Sequence, residues 1–114
     1  MTAGADHLLT HKEQTIHMLH QLGIPIHRIG YKMLCVAIPF YFENNIHCIT
    51  KELYTYLAHT FGCAGWRPVE RDIRDVIHQS WSSRDPAIWE EYFPGYTCAP
   101  SNKVFIAILA ERLK

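Results

Sequence analysis

The sequence predicts an all-α domain of six helices that contains a helix-turn-helix. Apolar residues recur at intervals of three and four along most of the chain, which gathers them on one side of successive helices. No stretch alternates apolar and polar residues for long enough to make a useful strand. Capping residues stand ahead of the periodic segments, and Gly or Pro stands after several of them.

The first helix starts at Thr10, because "THKE" is a capping box in which Thr10 caps the backbone and Glu13 reaches back. Leu9, Ile16, Leu19 and Leu22 form its apolar stripe, and Gly23 with Pro25 ends it. The second helix is expected from about Gly30 to Phe42, with Ile29, Met33, Leu34, Ala37, Ile38 and Tyr41 inward. Pro39 removes a backbone donor and is expected to kink or shorten its last turn. After "ENN", Thr50 is expected to cap a third helix carrying Leu53, Tyr54, Leu57 and Phe61, stopped by Gly62. The fourth runs from Pro68 to Trp81, with Val69, Ile73, Val76, Ile77 and Trp81 recurring on one side. Asp85 caps a short fifth helix with Pro86 at its first position. Ser101 caps a sixth, which buries Val104, Phe105, Ile108, Leu109 and Leu113. Two helices joined by a short Gly-containing turn, as around residues 62–65, are the pattern of a helix-turn-helix.

With 114 residues the chain has the size of one domain, read here as a tail over residues 1–9 and a folded unit over 10–114. No run approaches the ~18 apolar residues of a membrane span, and the start lacks a basic and apolar leader pattern, so the expected location is cytoplasmic. Four cysteines without C-x-x-C spacing are expected as reduced, mostly buried thiols. Eight histidines include His7 with His11 and His17 with His20 at helical spacings. No carboxylate or cysteine nearby completes a metal set, so no metal and no cofactor are expected. There is no phosphate loop, dinucleotide fingerprint, G-x-S-x-G or H-E-x-x-H, which argues against an enzyme.

What remains is the polar side of the fourth helix. At about 100° per residue, Glu70, Arg71, Arg74 and His78 lie together, opposite Val69, Ile73 and Ile77. The second helix of a helix-turn-helix presents such a face to base edges, where arginine suits guanine and glutamate accepts from cytosine. The same spacing also fits i to i+4 ion pairs, Glu70 with Arg74 and Arg71 with Asp75, that only solubilise a helix. Eleven basic against eleven acidic residues weigh against a strong nucleic-acid binder, whose affinity rests on neutralising phosphates.

The segments "QLGIPIHRIGYKMLCVAI", "ITKELY", "VERDIR", "HQSW", "GYT" and "FIAILAERL" occur in an order and approximate spacing that resembles the C-terminal effector domain of stage 0 sporulation protein A, from about Thr15 onward. That resemblance implies a six-helix DNA-binding domain of a sporulation transcription regulator, with Thr50 to Thr60 and Pro68 to Trp81 as its helix-turn-helix. By matching position, Glu70, Arg71 and Arg74 would read bases of a short G·C-centred box. Arg28, Tyr31, Thr50, Lys51, Arg67 and His78 are candidate backbone contacts. The family also pairs head to tail through its C-terminal region, which makes Tyr92, Phe93, Tyr96 and Phe105 candidates for an interface with a second copy or with the full-length regulator.

Several positions depart from the family pattern. Asp72 replaces a small residue and Asp75 a histidine, so two carboxylates flank the arginines. Ile29 replaces a basic residue, with Arg28 beside it as a substitute. Arg67 and Pro68 stand where the family has Ser-Arg, Trp66 stands in a longer turn, and the lysine-containing loop before the last helix is shortened. The start reads as a stand-alone form without the family's receiver domain. Two functions are therefore expected: a regulator that binds double-stranded DNA with modest affinity, or a protein-binding module that antagonises the full-length regulator.

Overall fold

Thr10 and Glu13 form the reciprocal cap that starts the first helix. The Thr10 hydroxyl accepts from the Glu13 amide at 3.0 Å, and the Glu13 carboxylate accepts from the Thr10 amide at 2.9 Å. The computed structural model describes residues 9–114, so His7 and all of the 1–9 tail except Leu9 lie outside the described residues. Helix α1 (His11–Gln21) buries Thr15, Met18 and Leu19, but Leu9, expected in its stripe, is 44% exposed, because it precedes the cap and falls outside the helical register.

Helix α2 (Ile29–Glu43) supplies the centre of the fold, with Gly30, Met33, Leu34, Cys35, Ala37 and Ile38 buried. Pro39 neither ends nor shortens it. The chain stays helical to Glu43, and the Asn44 amide and side chain both donate to the Phe40 carbonyl, covering acceptor capacity at the helix end. Ile29, expected inward, is exposed because it is the first residue of the helix and lies beyond the packed turn.

The third segment departs from expectation at its start. Residues Ile49–Tyr54 form a π-helical turn that continues into α3 (Thr55–Phe61). Thr50 is not its cap. The Glu52 carboxylate instead accepts from the amides of His47 at 2.7 Å and Cys48 at 2.6 Å, while Thr50 lies inside the turn, where its carbonyl accepts from the Thr55 amide and hydroxyl. Gly62 ends α3 at φ +69°, a left-handed conformation that costs a glycine little, and the Cys63 amide then bonds to the Ala58 carbonyl at 2.8 Å.

Helix α4 (Trp66–Ser82) follows, with Val69, Ile73, Val76, Ile77 and Ser80 buried. Asp85 caps α5 (Pro86–Tyr92) by accepting from the Ala87 amide, and Ser101 caps α6 (Asn102–Ala110) by accepting from the Val104 amide. Helix α2 packs against α1, α4 and α6, so the core forms around it and α4 is held on one side with its polar face outward. Trp89 closes the far end: its indole N–H donates to the Leu22 carbonyl at 3.1 Å, and its ring meets Trp81, Phe93 and Phe105. Among the described residues there are six α-helices and no strand, and no helix is long and apolar enough to cross a membrane.

Two further expectations are corrected by burial. Of the four cysteines only Cys35 is buried, Cys63 is partly so, and Cys48 and Cys98 are exposed, since both of these sit in connections between helices. Phe93 and Phe105, expected at a partner surface, are 1% and 0% exposed, and Tyr92 is buried as well. The Phe93 and Phe105 rings stack at 5.5 Å within the core, while the Tyr92 hydroxyl donates to the Gln21 side chain and its ring is covered by the Arg112 guanidinium at 4.2 Å. Of those four residues Tyr96 alone presents substantial surface, with 37% exposure.

Candidate nucleic-acid interface

Helix α4 owes its position to the turn that precedes it. Tyr54, buried at the end of the π-helical turn, stacks on Trp66 at 6.5 Å across residues 62–65 and so sets the start of α4 against the first helix of the pair. Trp66, expected in the turn itself, is the first residue of the helix and is partly buried, because its ring completes this stack. The Arg67 guanidinium lies 5.3 Å from the Trp66 ring centroid, an attraction that holds this exposed cation beside the start of the helix.

With the Val69, Ile73, Val76 and Ile77 side turned to the core, the helical repeat places Arg67, Arg71, Arg74, Asp75 and His78 on the opposite, solvent side. Glu70 and Asp72 fall on its two flanks, both partly buried. Arg74 pairs with Glu70 at 3.7 Å, as the spacing predicts. Arg71 does not pair with Asp75: its Nε lies 3.5 Å from the Asp72 carboxylate. The Arg71 and Arg74 side chains are 59% and 51% exposed, and contacts of that kind contribute roughly 0 to 1 kcal/mol. Contacts this weak leave both guanidinium groups free to exchange partners.

The two flanks are built differently. On the Asp72 side, Arg28 immediately precedes α2 and donates to the Gln79 side chain at 3.1 Å, which places its cation beside the far end of α4. Tyr31 does not join it. Its hydroxyl bonds to His20 on α1 at 3.0 Å, and it lines a separate cleft with Lys12, Lys32 and Cys35; burial, together with Cys35, raises its pKa.

On the Glu70 side a cleft of about 430 Å³ opens between α4, the π-helical turn and the start of α6, lined among others by Thr50, Tyr54, Glu70, Arg74, His78 and Lys103. Thr50 and His78, two of the expected backbone contacts, thus share one cleft, and Lys51 is exposed on the same segment. At its floor the Asn102 side chain donates to the Glu70 carbonyl at 2.9 Å. Burial pushes the Tyr54 phenol upward, opposed by a hydrogen bond from Asn102, and Glu70 raises it further. Asn102 was not among the residues singled out from the sequence. It directly follows the Ser101 cap, and only the fold brings it to α4.

Two of the described histidines are engaged in local contacts. The His11 ring bonds to the Glu43 carboxylate and packs edge-on against Phe42, while His20 engages Tyr31. Among the described residues no group of three His, Cys, Asp or Glu side chains converges as metal ligands would. The family described as sporulation initiation factor Spo0A, C terminal, matches residues 15–113.

Proposed function

Because the chain belongs to the family of Spo0A C-terminal domains, we propose that it is a transcription regulator linked to sporulation that binds double-stranded DNA by placing α4 in the major groove. Arg71 and Arg74 are the principal base readers and Glu70 an auxiliary one; Arg28, Arg67, Thr50, Lys51 and His78 meet the backbone around them. The observation that carries this reading is the exposure of three arginines on one face of the second helix of a helix-turn-helix, two of them held only by loose, solvent-exposed ion pairs. The family is one of DNA-binding domains rather than of enzymes.

Affinity is expected to be modest, since Glu70, Asp72 and Asp75 offset the arginines at the surface facing phosphate. Arg71→Ala and Arg74→Ala are each expected to cost about 1 to 3 kcal/mol in binding to a duplex with a G·C-centred box and to relax base preference. Fluorescence anisotropy against matched and base-substituted duplexes measures both. Wild-type affinity and preference in both variants would remove the reading.

The Arg71–Asp72 contact favours one second reading, in which the self-paired face meets a protein and the chain acts as an antagonist of a full-length regulator. Size-exclusion chromatography with such a regulator separates the two: clear DNA binding without a protein complex rules the second reading out.

A further inference from the structure

The exposed face of α4 is flanked by two DNA strands when a helix of this kind lies in a major groove about 12 Å wide, so each flank of α4 faces a row of phosphates. Arg28 stands on one flank, beside Gln79. On the other flank, among the described residues, the acidic residue lining the cleft is Glu70, already paired with Arg74. We infer that Lys103 holds a backbone phosphate of the duplex on this second flank, with the hydroxyls of Thr50 and Ser101 as neutral donors; the inference rests on the DNA reading proposed above.

Three observations carry it. First, Lys103 lines the same cleft as Arg74 and His78, so three side chains able to donate to an anion reach one place from two helices. Second, its place relative to α4 is held. The preceding residue, Asn102, is 8% exposed and donates to the Glu70 carbonyl at 2.9 Å, which ties the start of α6 to the recognition helix within one residue of the lysine. Third, among the described residues Lys103 makes no ion pair, whereas Arg71 and Arg74 both do. A cation that is exposed, positioned by its neighbour and uncompensated is available to a phosphate without giving up a partner. The titratable groups facing it are Glu70, Arg74 and His78, with the Tyr54 phenol at the cleft wall. Lysine suits the role of a point charge on a phosphate, while the planar arginines suit bases.

A contact of this kind carries no sequence information, and this separates it from the arginines. The test compares the intact chain with Lys103→Gln and, as a matched charge change in the cleft between α1 and the C-terminus, which holds none of the proposed DNA contacts, Lys114→Gln. Affinities for a box-containing duplex and a scrambled duplex are titrated over a series of salt concentrations. In Lys103→Gln the slope of log affinity against log salt is expected to become shallower by about 0.9, the release of one phosphate's counterions, with the preference for the box unchanged. Lys114→Gln is expected to keep the wild-type slope. A wild-type slope in Lys103→Gln overturns the inference and leaves the DNA reading standing. An equal loss in Lys114→Gln, or a changed base preference in Lys103→Gln, overturns it too. If the wild-type chain binds neither duplex at low salt, both the inference and the reading beneath it fall.

Discussion

Gly30 on α2 lies so close to α4 that a Cβ placed on it would stand 2.3 Å from the backbone oxygen of Asp72 and 2.9 Å from both methyls of Val76. The backbones of the two helices touch at this point, one residue from Arg71. Helix α4 is therefore seated by a contact that tolerates no side chain.

Gly30→Ala is accordingly expected to push α2 and α4 apart, since the obstructing atom is backbone and has no rotamer to give. Overpacking of this sort costs about 1 to 3 kcal/mol, read as a lower urea midpoint with a similar slope. An unchanged midpoint would mean that the helices separate freely and that this contact does not seat α4.

Asp72→Asn keeps the shape of the side chain and removes the charge 3.5 Å from Arg71. Because the pair is exposed on the Arg71 side, its removal is expected to free the guanidinium at little cost to stability and to tighten DNA binding by roughly two- to fivefold, the equivalent of a weak surface pair. Anisotropy titration at low salt checks the direction: weaker binding would show that Asp72 helps to orient Arg71 for the groove.

Glu52 is fully exposed, yet the amides of Cys48 and His47 hold its carboxyl below the ordinary value of 4.5. A folded-state value below the unfolded one gives stability that is fully present above the unfolded pKa and is lost as pH falls through the folded value. Glu52→Gln is thus expected to lower the melting temperature at neutral pH and to flatten the acid side of the profile. Thermal melts of both chains from neutral pH down to pH 3 measure it, and parallel profiles would argue that the cap has no weight.

Phe105→Ala distinguishes a core residue from an interface residue. Fully buried and packed on Trp89 and Phe93, Phe105 is expected to cost about 3 to 5 kcal/mol when truncated. Loss of self-association at unchanged stability would instead return it to a partner surface.

Much of this was legible in the sequence. Thr10, Asp85 and Ser101 act as the caps that local pattern assigns them, because capping depends on a few adjacent residues. The apolar stripe of α4 and the Glu70–Arg74 pair also follow from periodicity alone. What spacing could not give is whatever depends on a distant segment. Glu52 displaced Thr50 as the cap because the chain before it curls back to offer two amides. Arg71 chose Asp72 over Asp75, where two partners of equal charge were both within reach of the sequence pattern. Asn102 reached Glu70 across thirty-two positions, and Phe93 met Phe105 through the closure of the core, which removed two residues from the expected partner surface.

The central claim is that α4 meets DNA, and the salt dependence of wild-type binding tests it most directly. Anisotropy titrations of a duplex carrying a G·C-centred box, against a scrambled duplex over a range of salt, are expected to give a log–log slope of several units and tighter binding to the box. A flat dependence, or no binding to either duplex at the lowest salt, would contradict it.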